Sequence, residues 1–296
     1  MIYIVYTVLL FNLLIIIFKF FEKFKVDNLQ ALIFNYFTAA VCGYLFSDKS
    51  ISLSYIINAP WIYHAMILGF LFIVVFNFYA FGAQKVGIAV STVANKMSLI
   101  IPVSVVLIMN PEDNITVLKT IGFVLALIGI YLASTNNGQL SFNKKYLWLI
   151  LFIFIGQGIS DSVFNNANIF LKEFEELGED LYNNEKMIFF TTLFTIAGVS
   201  GLLILAGKSV KSSPKLKFKN IIWGIIFGIP NFFSLFYFLE ALSYYHNNES
   251  IVFPLVSMGV VVISAVIGIV FFRERLSKGN WLGILFALAS IAVFSF

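Results

Sequence analysis

Ten apolar stretches, each long enough for a helix to cross a bilayer, follow one another along this 296-residue chain with only short polar joints between them. They occupy 2–21, 28–46, 60–83, 87–109, 117–135, 145–168, 187–207, 219–243, 249–272 and 279–296. A bilayer needs about 20 predominantly apolar residues per helical span. A helix also satisfies its own backbone N–H and C=O groups, which hydrocarbon cannot do for it. The expected fold is therefore an all-α integral membrane protein with ten transmembrane helices. Composition agrees: 11% of residues are charged, against roughly a quarter in a soluble domain. The first stretch follows Met1 without a basic leader or a small-residue cleavage site, so it reads as a retained span rather than a signal peptide.

The ten stretches divide into two matching sets of five. The third ends Phe78-Tyr79-Ala80-Phe81-Gly82-Ala83 and the eighth ends Phe236-Tyr237-Phe238-Leu239-Glu240-Ala241. A polar turn follows each, then a span opening near Ser91 or Ser250. Those spans close at acidic turns, Pro111-Glu112-Asp113-Asn114 and Arg273-Glu274-Arg275-Leu276. The last span of each half opens near a glycine, Gly122 or Gly283, in the similar strings IGFVLALIGI and LGILFALASI. The expected repeats are 1–137 and 145–296, joined through the polar stretch from Gly138 to Lys145. An odd number of spans per repeat turns the second repeat upside down relative to the first. Inverted repeats of this kind belong to transporters that alternate access around a midplane site. The 171–186 segment, with six acids and two lysines, reads as a solvated loop or surface helix.

Several function classes drop out. One cysteine, Cys42, leaves no intramolecular disulfide and no multi-thiolate metal site. His64 and His246 stand far apart without ligand spacing. No His cluster, paired-carboxylate motif or GxSxG elbow marks an enzyme, and no cofactor is expected. The net charge of +4 is spread over short loops and is no nucleic-acid signature. Lysine and arginine concentrate after the odd-numbered spans, for example at Lys23, Lys25, Lys144, Lys145, Lys208, Lys217, Arg273 and Arg275. By the positive-inside rule those loops are cytoplasmic and both termini lie outside.

The pattern Tyr79-x-x-x-Ala83, Gly87-Ile88-Ala89, Ser91 and Pro102 resembles the EamA-like family of the drug/metabolite transporter superfamily. So does Phe272-Arg273-Glu274-Arg275-Leu276-Ser277 followed by Trp281-Leu282-Gly283. The resemblance runs over essentially the whole five-plus-five plan. It implies a carrier of small metabolites, amino acids, drugs or phosphorylated sugars, with termini in the cytoplasm, which conflicts with the loop charges. The chain departs from the pattern at Glu112, which lacks a following arginine, and at Val261, near where a proline would match Pro102.

Ionisable and amide side chains inside spans are the candidates for chemistry. Lys96 lies nine residues past Gly87, so about 13 Å along a helix. Insertion there costs roughly 2.5–3.5 kcal/mol, and either a carboxylate of the protein or an anionic group on the cargo must compensate. Gln157, Asp161, Asn165 and Asn168 share one face of the sixth span at spacings of four, four and three. Such a face turns from lipid, where each amide would lose its hydrogen bonds. Asn95 beside Lys96, and Asn77 and Asn231 in the third and eighth spans, are comparable. Tyr79 and Tyr237 occupy equivalent repeat positions and can offer a ring face and a hydroxyl. The expected substrate site is Lys96, Asn95, Asp161, Gln157, Asn165, Tyr79, Tyr237, Asn77 and Asn231. Asp161 and Glu240 are candidates for proton coupling, since burial raises a carboxylate's pKa toward neutrality.

The expected function is secondary-active transport of small metabolites, amino acids or related polar and anionic solutes, across the cell membrane. Lys96 is the one cation found deep in a span, which favours a singly charged or zwitterionic cargo over a phosphorylated or nucleotide sugar. A structural or partner-binding membrane protein is the alternative from another class. The expected partners are a small-molecule substrate, the lipid bilayer and either protons or a counter-substrate. A monomer suffices, because the repeat supplies both halves of a site; a dimer is compatible with it.

Overall fold

The computed structural model describes residues 2–47, 52–102, 117–136, 139–140, 143–209, 216–244 and 249–293. Its helices are α1 (Ile2–Lys23), α2 (Asn28–Phe46), α3 (Leu53–Asn58), α4 (Ile62–Lys85), α5 (Ile88–Met97), α6 (Val117–Ser134), α7 (Leu147–Glu175), α8 (Glu179–Ser209), α9 (Phe218–Tyr244), α10 (Glu249–Phe272) and α11 (Lys278–Val293). Seven helical stretches are long and apolar enough to cross a membrane, and Ile88–Pro102, Thr120–Ala133 and Lys278–Val293 are shorter apolar helices. Among the described residues the only extended structure is a two-residue ladder pairing Thr135–Asn136 with Gln139–Leu140. The chain is thus an all-helical, multi-pass membrane protein by the length and composition of its helices. The Pro111–Asn114 turn, Gly138 and His246 lie outside the described residues.

Two compact units emerge, and each takes segments from both halves of the sequence. The first comprises 1–20, 78–159 and 233–296; the second comprises 21–77 and 160–232. The boundaries fall inside α1, α4, α7 and α9.

The first unit is organised by α6 and α11, the last helices of the two halves. Asn280 Nδ2 donates to Ala133 O at 2.6 Å at one end, and Ser290 Oγ donates to Gly122 O at 2.7 Å at the other. The pair is therefore antiparallel. Between these bonds a Cβ at Gly129 would lie 2.9 Å from Ala287 N, and one at Gly283 would run into Ala133 N. The glycines let two backbones touch, the usual means of helix association where lipid removes the hydrophobic drive. Ala126, Ala133, Ala287 and Ile291 join Val93 and Met97 of α5 and Val261 and Ala265 of α10 in one buried cluster.

In the second unit α2 and α8 pair in the same antiparallel sense. Gly43 faces Thr191 and Met187, while Gly201 faces Ile33. On the α9 side, a Cβ at Gly228 would meet Thr38 Cβ at 2.5 Å and Asn35 O at 2.6 Å. Tyr36, Phe189, Phe190, Phe194, Phe227 and Phe232 fill this interior.

The acidic 171–186 segment is more ordered than its composition suggests. α7 continues to Glu175, the break holds Gly178 at φ +137°, and α8 opens on Glu179 and Asp180. Acids in a first helical turn are favoured by the helix dipole. The expectation of a solvated segment fails at Glu185 and Lys186, which are 3% and 1% exposed. Glu185 accepts from Tyr55 Oη and Trp61 Nε1, both at 2.5 Å. Lys186 Nζ donates to Asn183 Oδ1 at 3.0 Å and lies over the Tyr182 ring. Desolvation, reinforced by the Glu185 carboxylate, pushes the Tyr55 hydroxyl above its ordinary range, so it remains a donor.

Candidate functional site

α5 carries the sharpest candidates, and both its ends are specially made. Its N-terminus begins after Gly87, held at φ +119°. The exposed amides there are met by a side chain from the other half of the sequence. Glu274 accepts from Ile88 N at 2.7 Å and Ala89 N at 3.4 Å, and pairs with Lys19 Nζ at 3.8 Å. A carboxylate at a helix N-terminus satisfies orphan donors and opposes the positive end of the dipole. Arg273, a non-glycine residue at φ +54°, turns the chain after α10, and Glu274 N donates back to Gly268 O at 2.9 Å. The Gly87-Ile88-Ala89 and Phe272–Ser277 strings, 186 residues apart at the Ile88–Glu274 bond, are thus two sides of one contact.

The C-terminal end of α5 is set by Pro102. Proline has no N–H to donate, and its ring crowds the carbonyl four residues earlier, here that of Ser98. The backbone turns at Ser98 and Leu99, whose amides both reach Lys96 O. Lys96 consequently occupies the last turn of α5, where carbonyl oxygens favour a cation. Its ammonium lies 4.5 Å from the centroid of the Phe11 ring, within cation–π range. Lys96 is half-buried. A helix end and a ring face both lower the cost of placing it in a span, two terms the sequence reading did not include.

Asn95, 4% exposed, donates from Nδ2 to Gln157 Oε1 on α7 at 2.8 Å. Two of the expected site residues, two spans apart in the chain, are therefore in contact, one of them next to Lys96 in sequence. Ser98 Oγ closes onto Asn95 O at 2.5 Å. Asn12 on α1, next to Phe11, donates to Val8 O at 2.8 Å. Its Oδ1 is buried without a hydrogen-bond partner among the described residues. Phe11 is one phenylalanine among 35, so nothing in the sequence marked it. Asn12, an amide inside a span, was a signal that could have been followed.

The other candidates lie on α4, α7 and α9. Tyr79 is 7% exposed and its hydroxyl lies 3.1 Å from Thr92 Oγ1, with Phe18 edge-on at 5.9 Å. Tyr237 is half-buried and stacks with Tyr3 at 6.2 Å. Glu240 follows one turn later, also half-buried. In the second unit, Asn231 Nδ2 donates to Asn35 Oδ1 at 3.1 Å, with Asn231 1% exposed. Asn77 Oδ1 is buried without a partner among the described residues. Asp161 and Asn165 are half-buried on α7, and Asn168 is buried. No group of three or more His, Cys, Asp or Glu residues suited to a metal occurs among the described residues.

Residues 180–296 match the model of the EamA-like transporter family. The match runs from the start of α8 to the end of the chain. That family falls within the drug/metabolite transporter superfamily, so the match supports a membrane transporter of this type. The chain is also similar to an uncharacterized protein from Haemophilus influenzae, 28% identical over 268 residues, covering 88% of this chain and 86% of that one. A solved crystal structure superposes with a TM-score of 0.53 at 14% identity, covering 99% of this chain and 94% of the other. At that identity the likeness speaks for the fold alone.

Proposed function

We propose that this protein is a secondary-active carrier of small polar metabolites across the cell membrane, with amino acids or related carboxylate-bearing solutes as the cargo class. The observation that carries the reading is Lys96 at the broken end of α5, on the Phe11 ring and beside the Asn95–Gln157 bond. An ammonium at a helix end beside a ring face can meet an anionic group on a solute. Asn95 and Gln157 would orient the rest of the solute. Asp161 or Glu240 would carry a coupling proton, and exchange of one metabolite for another replaces coupling if transport ignores a pH gradient.

The carrier works by alternating access between two inverted five-helix repeats. In support, last helices α6 and α11 run antiparallel, as do second helices α2 and α8. A repeat and its inverted copy related by a two-fold axis in the membrane plane would pair their matching helices in that sense.

The test is a thermal-shift screen against amino acids, sugar phosphates, nucleotides and cationic drugs on wild type and Lys96→Ala, followed by counterflow in proteoliposomes. A ligand at 100 times its Kd stabilises by about 2.7 kcal/mol. A carboxylate solute should stabilise the wild type, not the variant, and show counterflow. If Lys96→Ala unfolds early without ligand while every solute leaves the wild type unmoved, Lys96 is structural and the site is lost.

A further inference from the structure

Two lysine-bearing loops from opposite halves of the sequence are clasped together in the second unit. One is the joint between α1 and α2, residues 22–27; the other, residues 216–220, leads into α9. Asn220 Nδ2 donates to Gln30 Oε1 at 2.7 Å, and Asn220 Oδ1 accepts from Asp27 N at 3.2 Å. Lys217 N donates to the same Gln30 oxygen at 3.3 Å, and Lys219 Nζ donates to Phe24 O at 2.9 Å. Phe24 stacks on Trp223 at 5.2 Å. Asn220 and Gln30 are 0% and 3% exposed, so the clasp itself is buried. Lys23, Lys25 and Lys217 are exposed, and Lys219 is half-buried.

Holding four lysines on two joined loops is unfavourable unless an anion meets them. The acids of these loops are Glu22 and Asp27, which leaves a surplus of two positive charges. Asp27 is engaged as the cap of α2, accepting from Gln30 N at 2.9 Å. Among the described residues no carboxylate lies within ion-pair distance of Lys23, Lys25, Lys217 or Lys219. Lys25 adds a second signal. Lys25 N donates to Glu22 O and Val26 N to Phe21 O, the paired bonds of a Schellman turn, with Lys25 at φ +51°. Glycine fills that left-handed position at least cost, yet this chain places an ammonium at the bend.

We propose that the clasp is a binding site for the headgroup of an anionic phospholipid. Basic pockets between spans at a membrane surface take lipid phosphates. Apolar surface for an acyl chain starts beside the lysines. Phe218, between Lys217 and Lys219, is 74% exposed, and Ile222, Ile225 and Ile229 continue its face of α9 at 42%, 46% and 46%. The phosphodiester meets Lys25 and Lys217, and the chain follows that stripe. The site does not depend on the cargo, and Lys96 belongs to the other unit.

The probe is phosphatidylglycerol, titrated into the full chain in detergent and counted by native mass spectrometry, against phosphatidylcholine with the same acyl chains. One phosphatidylglycerol should bind at least tenfold more tightly than phosphatidylcholine. Lys25→Gln combined with Lys217→Gln should weaken it at least tenfold. Lys144→Gln combined with Lys145→Gln removes the same charge from another loop and should stay within twofold of wild type. Lys25→Gly separates the charge from the turn: its thermal midpoint should be no lower than wild type, while phosphatidylglycerol binds at least threefold more weakly. Inorganic phosphate at millimolar concentration should leave the lipid bound. Equal binding of the two lipids would mean ordinary boundary lipid, equal loss in both double variants would mean diffuse loop charge, and displacement by phosphate would mean a soluble-anion site. Each of these, or full lipid affinity in Lys25→Gly, would overturn the proposal.

Discussion

Tyr79 with Gly82, and Tyr237 with Glu240, stand at matching positions of two similar sequence strings and have opposite surroundings. The first pair is closed. The Tyr79 hydroxyl is matched to Thr92, and Gly82 admits Ile153 and Ser91 so closely that a Cβ there would lie 2.8 Å from Ser91 Oγ. The second pair is open, its tyrosine sharing a half-exposed ring cluster and its acid standing where the first half has hydrogen. A matching position in two similar strings therefore does not fix what a residue does. The neighbour brought by the fold decides that: α5 and α7 crowd one register, while α1 flanks the other with tyrosines.

Substitutions test this contrast, from the largest effect to the smallest. Gly82→Glu, which copies the second half into the first, should yield no monodisperse protein, because Cβ has no room beside Ile153 and Ser91. The reciprocal Glu240→Gly should fold, with a thermal midpoint lowered by the cost of a glycine inside a helix. If Gly82→Glu purifies normally, the first register is not closed. Next comes Glu274→Ala, which strips the cap from α5; about 1–2 kcal/mol is expected from lost capping and dipole terms. Detergent-titration unfolding measures it, and Glu274→Gln should recover part of the loss through its remaining oxygen. Tyr79→Phe leaves Thr92 without its hydroxyl partner and should cost about 0.5–1.5 kcal/mol. Tyr237→Phe, with no hydrogen bond to lose among the described contacts, should change the midpoint least. An equal effect at both tyrosines would erase the contrast.

A second contrast concerns buried amides. Asn95–Gln157 borders Lys96, whereas Asn35–Asn231 lies among Gly224, Gly228 and the α2 backbone, where a Cβ at Gly224 would meet Ala31 O at 2.6 Å. Both were legible as polar residues in spans. Their partners were not, because each bond joins residues remote in sequence. The same holds for Glu185, whose partner Trp61 is 124 residues away. Composition marked that segment as solvated, and long-range packing buried its last two residues.

What the sequence determined by itself is the part of this protein governed by local rules. Apolar length marked the helical regions, seven of which are long and apolar enough to cross a membrane among the described residues, since a helix satisfies its own backbone and needs no partner to be recognised. The Phe272–Ser277 string, read as a family resemblance, lies within the residues that match the EamA-like family model. Only the tertiary structure decided which of those helices pair, that Glu274 seats on α5, that Phe11 takes the Lys96 ammonium, and that the loops at Lys25 and Lys217 meet through Gln30 and Asn220. Each of those facts is an encounter between residues far apart in the chain. Thirty-five phenylalanines and thirteen tyrosines look alike until the fold gives each its neighbour.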